Sequence, residues 1–252
     1  MSVLNLRLMT PALAVLVALH SAAVAQDKLR IAGGLAGTWE NSFSELGQNA
    51  GFFKKHGLVL EIFYTQGAGE TQPGSSTYAA VQGFQRVFGV AFTPVATGSP
   101  ASTLTQAMTG QIDVGWTSPP FALDLMKEGK IRQIMRASDV PELRNQTARF
   151  MTANAVALDA RRPVFVRYLQ AYREVVDWMY SDKAAIKAFA DWARIPEEIA
   201  QLAPNDYYPK DNVLPDRIEG LELAMADAAS FKYIAAPLSK DQLAKLILVP
   251  LK

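Results

Sequence analysis

A chain of 252 residues, 50% hydrophobic and 19% charged, carries enough apolar side chain for one large core or two smaller ones, which excludes a mainly disordered protein. Its 25 cationic and 24 acidic residues nearly cancel, so bulk charge gives no case for binding nucleic acid. The absence of cysteine excludes disulfides, thiol nucleophiles and cysteine metal sites.

Residues 1–25 stand apart. Arg7, an apolar run from Leu8 to Leu19, and Ala23-Val24-Ala25 before Gln26 form the pattern of a secretory signal peptide cleaved between Ala25 and Gln26. The run falls short of the about 20 apolar residues that span a bilayer, and no later stretch reaches that length. The expected product is soluble, exported and periplasmic, and the loss of Arg7 brings its charge to balance. His20 leaves with the leader, and His56 remains in Phe53-Lys54-Lys55-His56-Gly57, a polar helix end where cations suit the dipole. No Gly-x-Ser-x-Gly elbow accompanies His56, so the chain reads as a non-enzyme with no catalytic residue, metal site or cofactor.

Lys28 to Ala32 reads as a first strand, followed by the loop Gly33-Gly34-Leu35-Ala36-Gly37, whose glycine spacing is not that of a dinucleotide fingerprint. Thr38 to Asn41 leads into a helix over Ser42 to Lys55, with Phe43, Leu46, Ala50 and Phe53 on one face and Gly57 at its end. Leu58 to Tyr64 is the second strand. Tyr64 to Thr71 then resembles Val95 to Ser102 in its plan of strand, glycine turn and helix start, a similarity that common turn chemistry also produces. After the first copy, Gln72 runs straight into Pro73-Gly74-Ser75-Ser76-Thr77, which opens a helix to Phe88 capped by Ser75 or Ser76. Free N–H groups at that end suit either plain capping or an anion.

The stretch Ala96 to Phe121 reads as loop, helix, buried strand, loop. Ser99 caps the helix, Pro100 suits its first position and Gly110 ends it. Ile112 to Trp116 follows as a short strand, stopped by Thr117-Ser118-Pro119-Pro120. Trp116 and two hydroxyls thus sit at the carboxyl end of a strand, where open α/β sheets bind ligands, although Trp116 fits a core position equally well. A helix from Phe121 to Glu128, a strand over Ile131 to Arg136, and a strand over Thr147 to Val156 come next. Phe165, Tyr168, Leu169, Tyr172, Val175, Val176 and Met179 then make a sustained helical core stripe, with Asp159 as a cap and Pro163 in the first turn. Helices over Asp182 to Trp192, Pro196 to Leu202 and Pro215 to Phe231 complete the pattern, with a loop at Asn205 to Pro209 whose aromatics reach toward a cleft. A capping box at Ser239 starts the last helix.

Gly51-Phe52-Phe53-Lys54-Lys55-His56-Gly57-Leu58 before a strand, Pro73 to Thr77 opening a helix, and Gly110 to Trp116 before Pro119-Pro120 together resemble one family. It is the nitrate, sulfonate, taurine and thiamine-precursor group of periplasmic solute-binding proteins of ABC transporters, and the resemblance covers nearly all of the chain after residue 25. It implies a type II periplasmic-binding-protein clamshell of two α/β lobes. After the signal peptide, 26–72 would begin lobe 1, 73–146 would form lobe 2, and 147–252 would return to lobe 1 and add C-terminal helices. It further implies a monomer that holds a small-molecule ligand in the interlobe cleft and presents it to an ABC permease without making or breaking a bond. By position, Thr38 and Trp39 would line one wall, and Ser75, Ser76, Thr77, Trp116 and Ser118 the other; such hydroxyls and helix N–H groups suit an organic anion or sulfonate, and the indoles an aromatic body.

The departure from the family lies at Gln72-Pro73, where a helix, a Gly-x-x-Asp strand and a further stretch are absent, so that the first lobe is truncated. A tolerated deletion, a decayed non-binding paralogue and a sequence lacking a segment all remain open. A ligand-sensing partner of a membrane receptor would use the same clamshell. The fungal pyrimidine-synthase relatives resemble an iron-dependent enzyme that needs histidine and cysteine ligands, and the absence of cysteine and scarcity of histidine argue against that reading here.

Overall fold

Alternation of Leu29 and Ile31 with Lys28 and Arg30 gives one face to the core and one to water, and the strand it specifies forms the centre of the first half of the chain. The computed structural model describes residues 26–65, 71–144, 146–147 and 151–247; the expected signal peptide lies outside them. Asp27–Gly33 (β1) pairs in parallel with Leu58–Tyr64 (β2), Asp27 opposite Leu58 and Gly33 opposite Tyr64. The crossover that a parallel pair requires is supplied by Trp39–Asn49 (α1) and Phe52–Lys55 (α2). The single helix expected over Ser42 to Lys55 is therefore two, because Gly51 turns left-handed at φ 85° and breaks the ladder of hydrogen bonds.

Within this pair Asp27 N–H donates to Gly57 O and Thr65 N–H to Gly33 O, so the odd-numbered residues of β1 face β2. The same register turns the N–H and C=O of Leu60 to the outer edge of β2. There the Gln48 side-chain amide takes both, accepting from Leu60 N–H at 2.5 Å and donating to Leu60 O at 3.0 Å. A side chain thus stands where a third strand would pair. On the solvent face Lys28 and Glu61 join across the strands at 2.6 Å.

The core beneath the sheet is completed from far along the chain. Arg162–Ser181 (α8) and Lys183–Ala193 (α9) bring Tyr168, Val175, Val176, Met179 and Phe189 against Trp39, Phe43 and Phe53. Trp39 is fully buried, edge-on to Phe43, Tyr180 and Phe189, and donates its indole N–H to Tyr180 Oη at 3.0 Å. Ser44 and Tyr168 share a buried hydroxyl bond of 3.0 Å, and burial pushes the Tyr168 phenol up to about 12. Arg167 on α8 grips the lower end of the sheet through His56 O and the Asp27 carboxylate.

Between these halves the helices form where the local signals put them. Ser76–Phe88 (α3) is capped by Ser75, whose hydroxyl accepts from Tyr78 N–H. Pro100–Met108 (α4) has Ser99 at its cap and Pro100 in its first turn. Leu123–Lys127 (α5) and the single turn Pro141–Arg144 (α6) follow. Two expected strands are not present: Ile112 to Trp116 is a run of bends and irregular chain, and Ile131 to Arg136 is irregular. A parallel strand is stable only with a neighbour to satisfy its backbone, and among the described residues no ladder reaches either segment. They are gathered instead by side chains, since Phe92, Trp116, Met135 and Leu143 pack on a small second core of Ala80, Phe84 and Val140.

Of the strand expected over Thr147 to Val156, residues 148–150 lie outside the described residues. The rest is corrected: Asn154 caps a helix, Ala155–Ala160 (α7), by accepting from Ala157 N–H at 3.0 Å. Asp159 lies inside α7 and pairs with Arg162 at 2.9 Å, so it does not cap α8. After α9 come Glu197–Ala200 (α10), a π turn at Ala203–Tyr207, and Leu221–Ser230 (α11), which starts six residues later than expected because the left-handed Gly220 opens it. Lys240–Leu246 (α12) carries the expected Ser239–Gln242 capping box. The fold is mixed α/β, mostly helical, around a two-stranded parallel sheet.

Candidate functional site

The carboxyl end of β1 is the place to build from, because a loop of glycines leaves the sheet there. The Tyr64 ring lies where a Gly33 side chain would begin, which explains the glycine, and Tyr64 Oη donates to Glu45 at 2.7 Å. Burial first, and the Glu45 carboxylate second, raise the Tyr64 phenol above its ordinary value. Asn41, one turn into α1, ties the loop down: its amide oxygen accepts from Gly34 N–H at 3.1 Å, and its nitrogen donates to Leu35 O at 3.2 Å and Thr38 Oγ1 at 2.7 Å.

The seven residues expected to line a cleft fall into three settings. Thr38 is buried at the start of α1, donating to Leu35 O at 3.3 Å, and Trp39 is in the core, where its ring meets only protein; both stand behind the loop and not on its surface. Ser75 and Thr77 are occupied in building the entry to α3: Ser75 Oγ donates to Gln72 O at 2.8 Å, and buried Thr77 Oγ1 accepts from Thr71 N–H at 2.7 Å. Ser76 is exposed, and Trp116 and Ser118 are half-buried, with the Trp116 ring 6.5 Å from that of Phe84.

Gly37 and Phe121, neither of them expected at a ligand wall, join these settings. Gly37, at φ 90°, is approached to within 3.1 Å of its missing Cβ by the ring of Phe121, which follows the cis Pro119-Pro120 bond. The loop leaving β1 and the segment holding Trp116 and Ser118 are therefore in contact, through Phe121. Nothing in the local sequence marks Asn41 or Phe121 for this, since each needs a partner placed by the fold.

The aromatic loop expected at Asn205 to Pro209 reaches elsewhere. Tyr207 Oη donates to Gln133 at 3.0 Å and its ring lies 4.7 Å from the Arg136 guanidinium, while Tyr208 O accepts from Tyr180 at 2.6 Å. His56 meets Glu174 at 2.9 Å, beside Lys55 at 2.8 Å. Lys55 chiefly, then His56, holds the Glu174 carboxyl below its ordinary value. His56 and Glu174 border an open cleft of about 570 Å3 with Arg173, Asp177 and Asp216, and a second groove of about 490 Å3 lies between α1, α8 and α9. None of the seven expected residues lines either one.

Among the described residues no cluster of three or more metal-ligating side chains occurs, and no helix is long and apolar enough to cross a membrane. Neither a protein-family model nor a curated protein matches this chain.

Proposed function

We propose that this chain is the extracytoplasmic solute-binding component of an ABC importer, a shortened clamshell that captures a small organic anion of aromatic or sulfonate type. The observation that carries the reading is the contact of Phe121 with Gly37. It brings the segment of Trp116 and Ser118 against the loop at the carboxyl end of a parallel strand, the edge at which open α/β sheets take ligands. Ser76, Trp116 and Ser118 keep surface to offer a ligand, and Phe121, three residues after Ser118, touches the loop at Gly37. Thr38, Trp39, Ser75 and Thr77 act behind them, holding the two helix entries in place.

A second reading, a degenerate paralogue that no longer binds, is favoured by the unpaired segments at Ile112 to Trp116 and Ile131 to Arg136. Thermal melts with benzenesulfonate, aromatic carboxylates, nitrate and pyrimidines separate the two. A ligand at 100 times its Kd stabilises the chain by about 2.7 kcal/mol. A melt that rises with one of these compounds, and rises less in Trp116→Ala, supports solute capture. A cooperative melt that none of them moves supports the degenerate paralogue.

A further inference from the structure

Where the C-terminal end of α1 meets α8 and α9, the groove of about 490 Å3 is walled by Trp178 and Trp192 over Leu46 and Ala188. Two of the four tryptophans in the chain thus share one surface feature. Each indole is half-buried and backed by other rings: Trp178 lies 5.5 Å from Phe52, and Trp192 lies 6.1 Å from Phe189 and 5.7 Å from Tyr64. Backing of this kind fixes the rings before anything binds, so a guest stacking on them loses little affinity to side-chain ordering.

The charged side chain that lines the groove is acidic. Asp191 stands at its rim, and the α1 terminus enters through Asn49 and Ala50. That terminus has no basic residue in its last turn, so no side-chain cation of α1 offsets the partial negative charge of its carbonyl end. Lys187 holds the Asp191 carboxylate at 3.0 Å from one turn away on α9 but does not itself line the groove. Indole faces add the negative side of their quadrupoles, which attracts cations more than neutral or anionic guests.

We propose that this groove binds a small organic cation, a substituted ammonium on an aromatic or branched body, with its head between the two indoles and Asp191. The site is separate from the anion cleft proposed above and does not depend on it.

The full-length chain titrated with benzyltrimethylammonium chloride, followed by tryptophan fluorescence, tests the assignment against benzyl alcohol and sodium benzenesulfonate at matched ionic strength. The expected result is a saturable change with the cation, about tenfold tighter than with benzyl alcohol and absent with benzenesulfonate. Trp192→Ala abolishes it, and Trp116→Phe leaves it unchanged. Asp191 and Lys187 are exposed, so Asp191→Asn and Lys187→Met leave the fold intact and decide the matter even if Trp192→Ala is unstable. The first weakens the cation several-fold and the second tightens it. Equal affinity for benzyl alcohol, no saturable response, or indifference to both α9 variants overturns the proposal. Failure here leaves the thermal response to anions untouched, and the reverse is also true.

Discussion

Gly47 lies inside α1, where replacement by alanine ordinarily gains about 1 kcal/mol of helix stability. Here the opposite sign is expected. A Cβ built on Gly47 runs into Val175 Cγ2 of α8, closer than any van der Waals contact, and stands 3.0 Å from both Val175 Cγ1 and Phe53 Cε2. Val175 and Phe53 are themselves fully buried, and a β-branched side chain in a helix has no second comfortable rotamer to retreat to. Overpacking costs about 1–3 kcal/mol, and an overlap this deep with a buried neighbour belongs at the upper end, so the net loss for Gly47→Ala is about 2 kcal/mol after the helix gain. Urea unfolding reads it as a lower midpoint at unchanged slope. Val175→Ala alone loses core contacts, but the double variant recovers part of the loss, with a coupling of about 1 kcal/mol. A Gly47→Ala chain as stable as the parent, or additive behaviour of the pair, refutes the close approach of α1 and α8.

Gln48→Leu leaves the Leu60 N–H and C=O without their partner at the edge of β2 and lowers stability by about 1–3 kcal/mol; Gln48→Glu keeps the acceptor but loses the donor, and falls between the two in the same urea series. Glu174 contributes stability that is present above its unfolded value of about 4.3 and is lost as pH falls through its lower folded value, so Glu174→Gln melts with a flatter acid limb between pH 6 and 3. With the carboxylate 36% exposed, that difference stays under about 1 kcal/mol. For Tyr168 the sign reverses: its neutral phenol stabilises the core below pH 10, and the contribution is lost as pH climbs toward 12. Tyr168→Phe is accordingly less stable at pH 7 by about 1 kcal/mol, from the lost Ser44 bond, yet more resistant than the parent to unfolding at pH 11.

What could be read in advance divides by the range of the physics involved. Ser75, Ser99 and Ser239 cap the helices they precede, because capping is settled within three residues of chain. The stripe from Phe165 to Met179 faces the core because a helical period is local too. Strands are different. Ile112 to Trp116 and Ile131 to Arg136 have the composition of strands, but strand formation depends on a neighbour that may lie anywhere in the chain, and the described residues supply none. Trp39 shows the same limit at the candidate site: an indole after a glycine loop reads alike as cleft wall or core, and its partner Tyr180 lies 141 residues away. Asn41 and Phe121 acquire their positions from that distant packing, so no local pattern announces them.

The amide of Gln48 has a consequence for growth of the sheet. With the flank of β2 plugged at Leu60, a further strand is admitted only beside β1, where Lys28, Arg30 and Ala32 turn their backbone groups outward and Arg161 already donates to Lys28 O at 2.9 Å. Two copies meeting there in antiparallel fashion about their midpoints would set Arg30 against Arg30, so like charge opposes self-association along that flank. The ribbon is thereby polarised sideways: sealed by an uncharged side chain on one border, and on the other defended by cations that an acidic strand would neutralise.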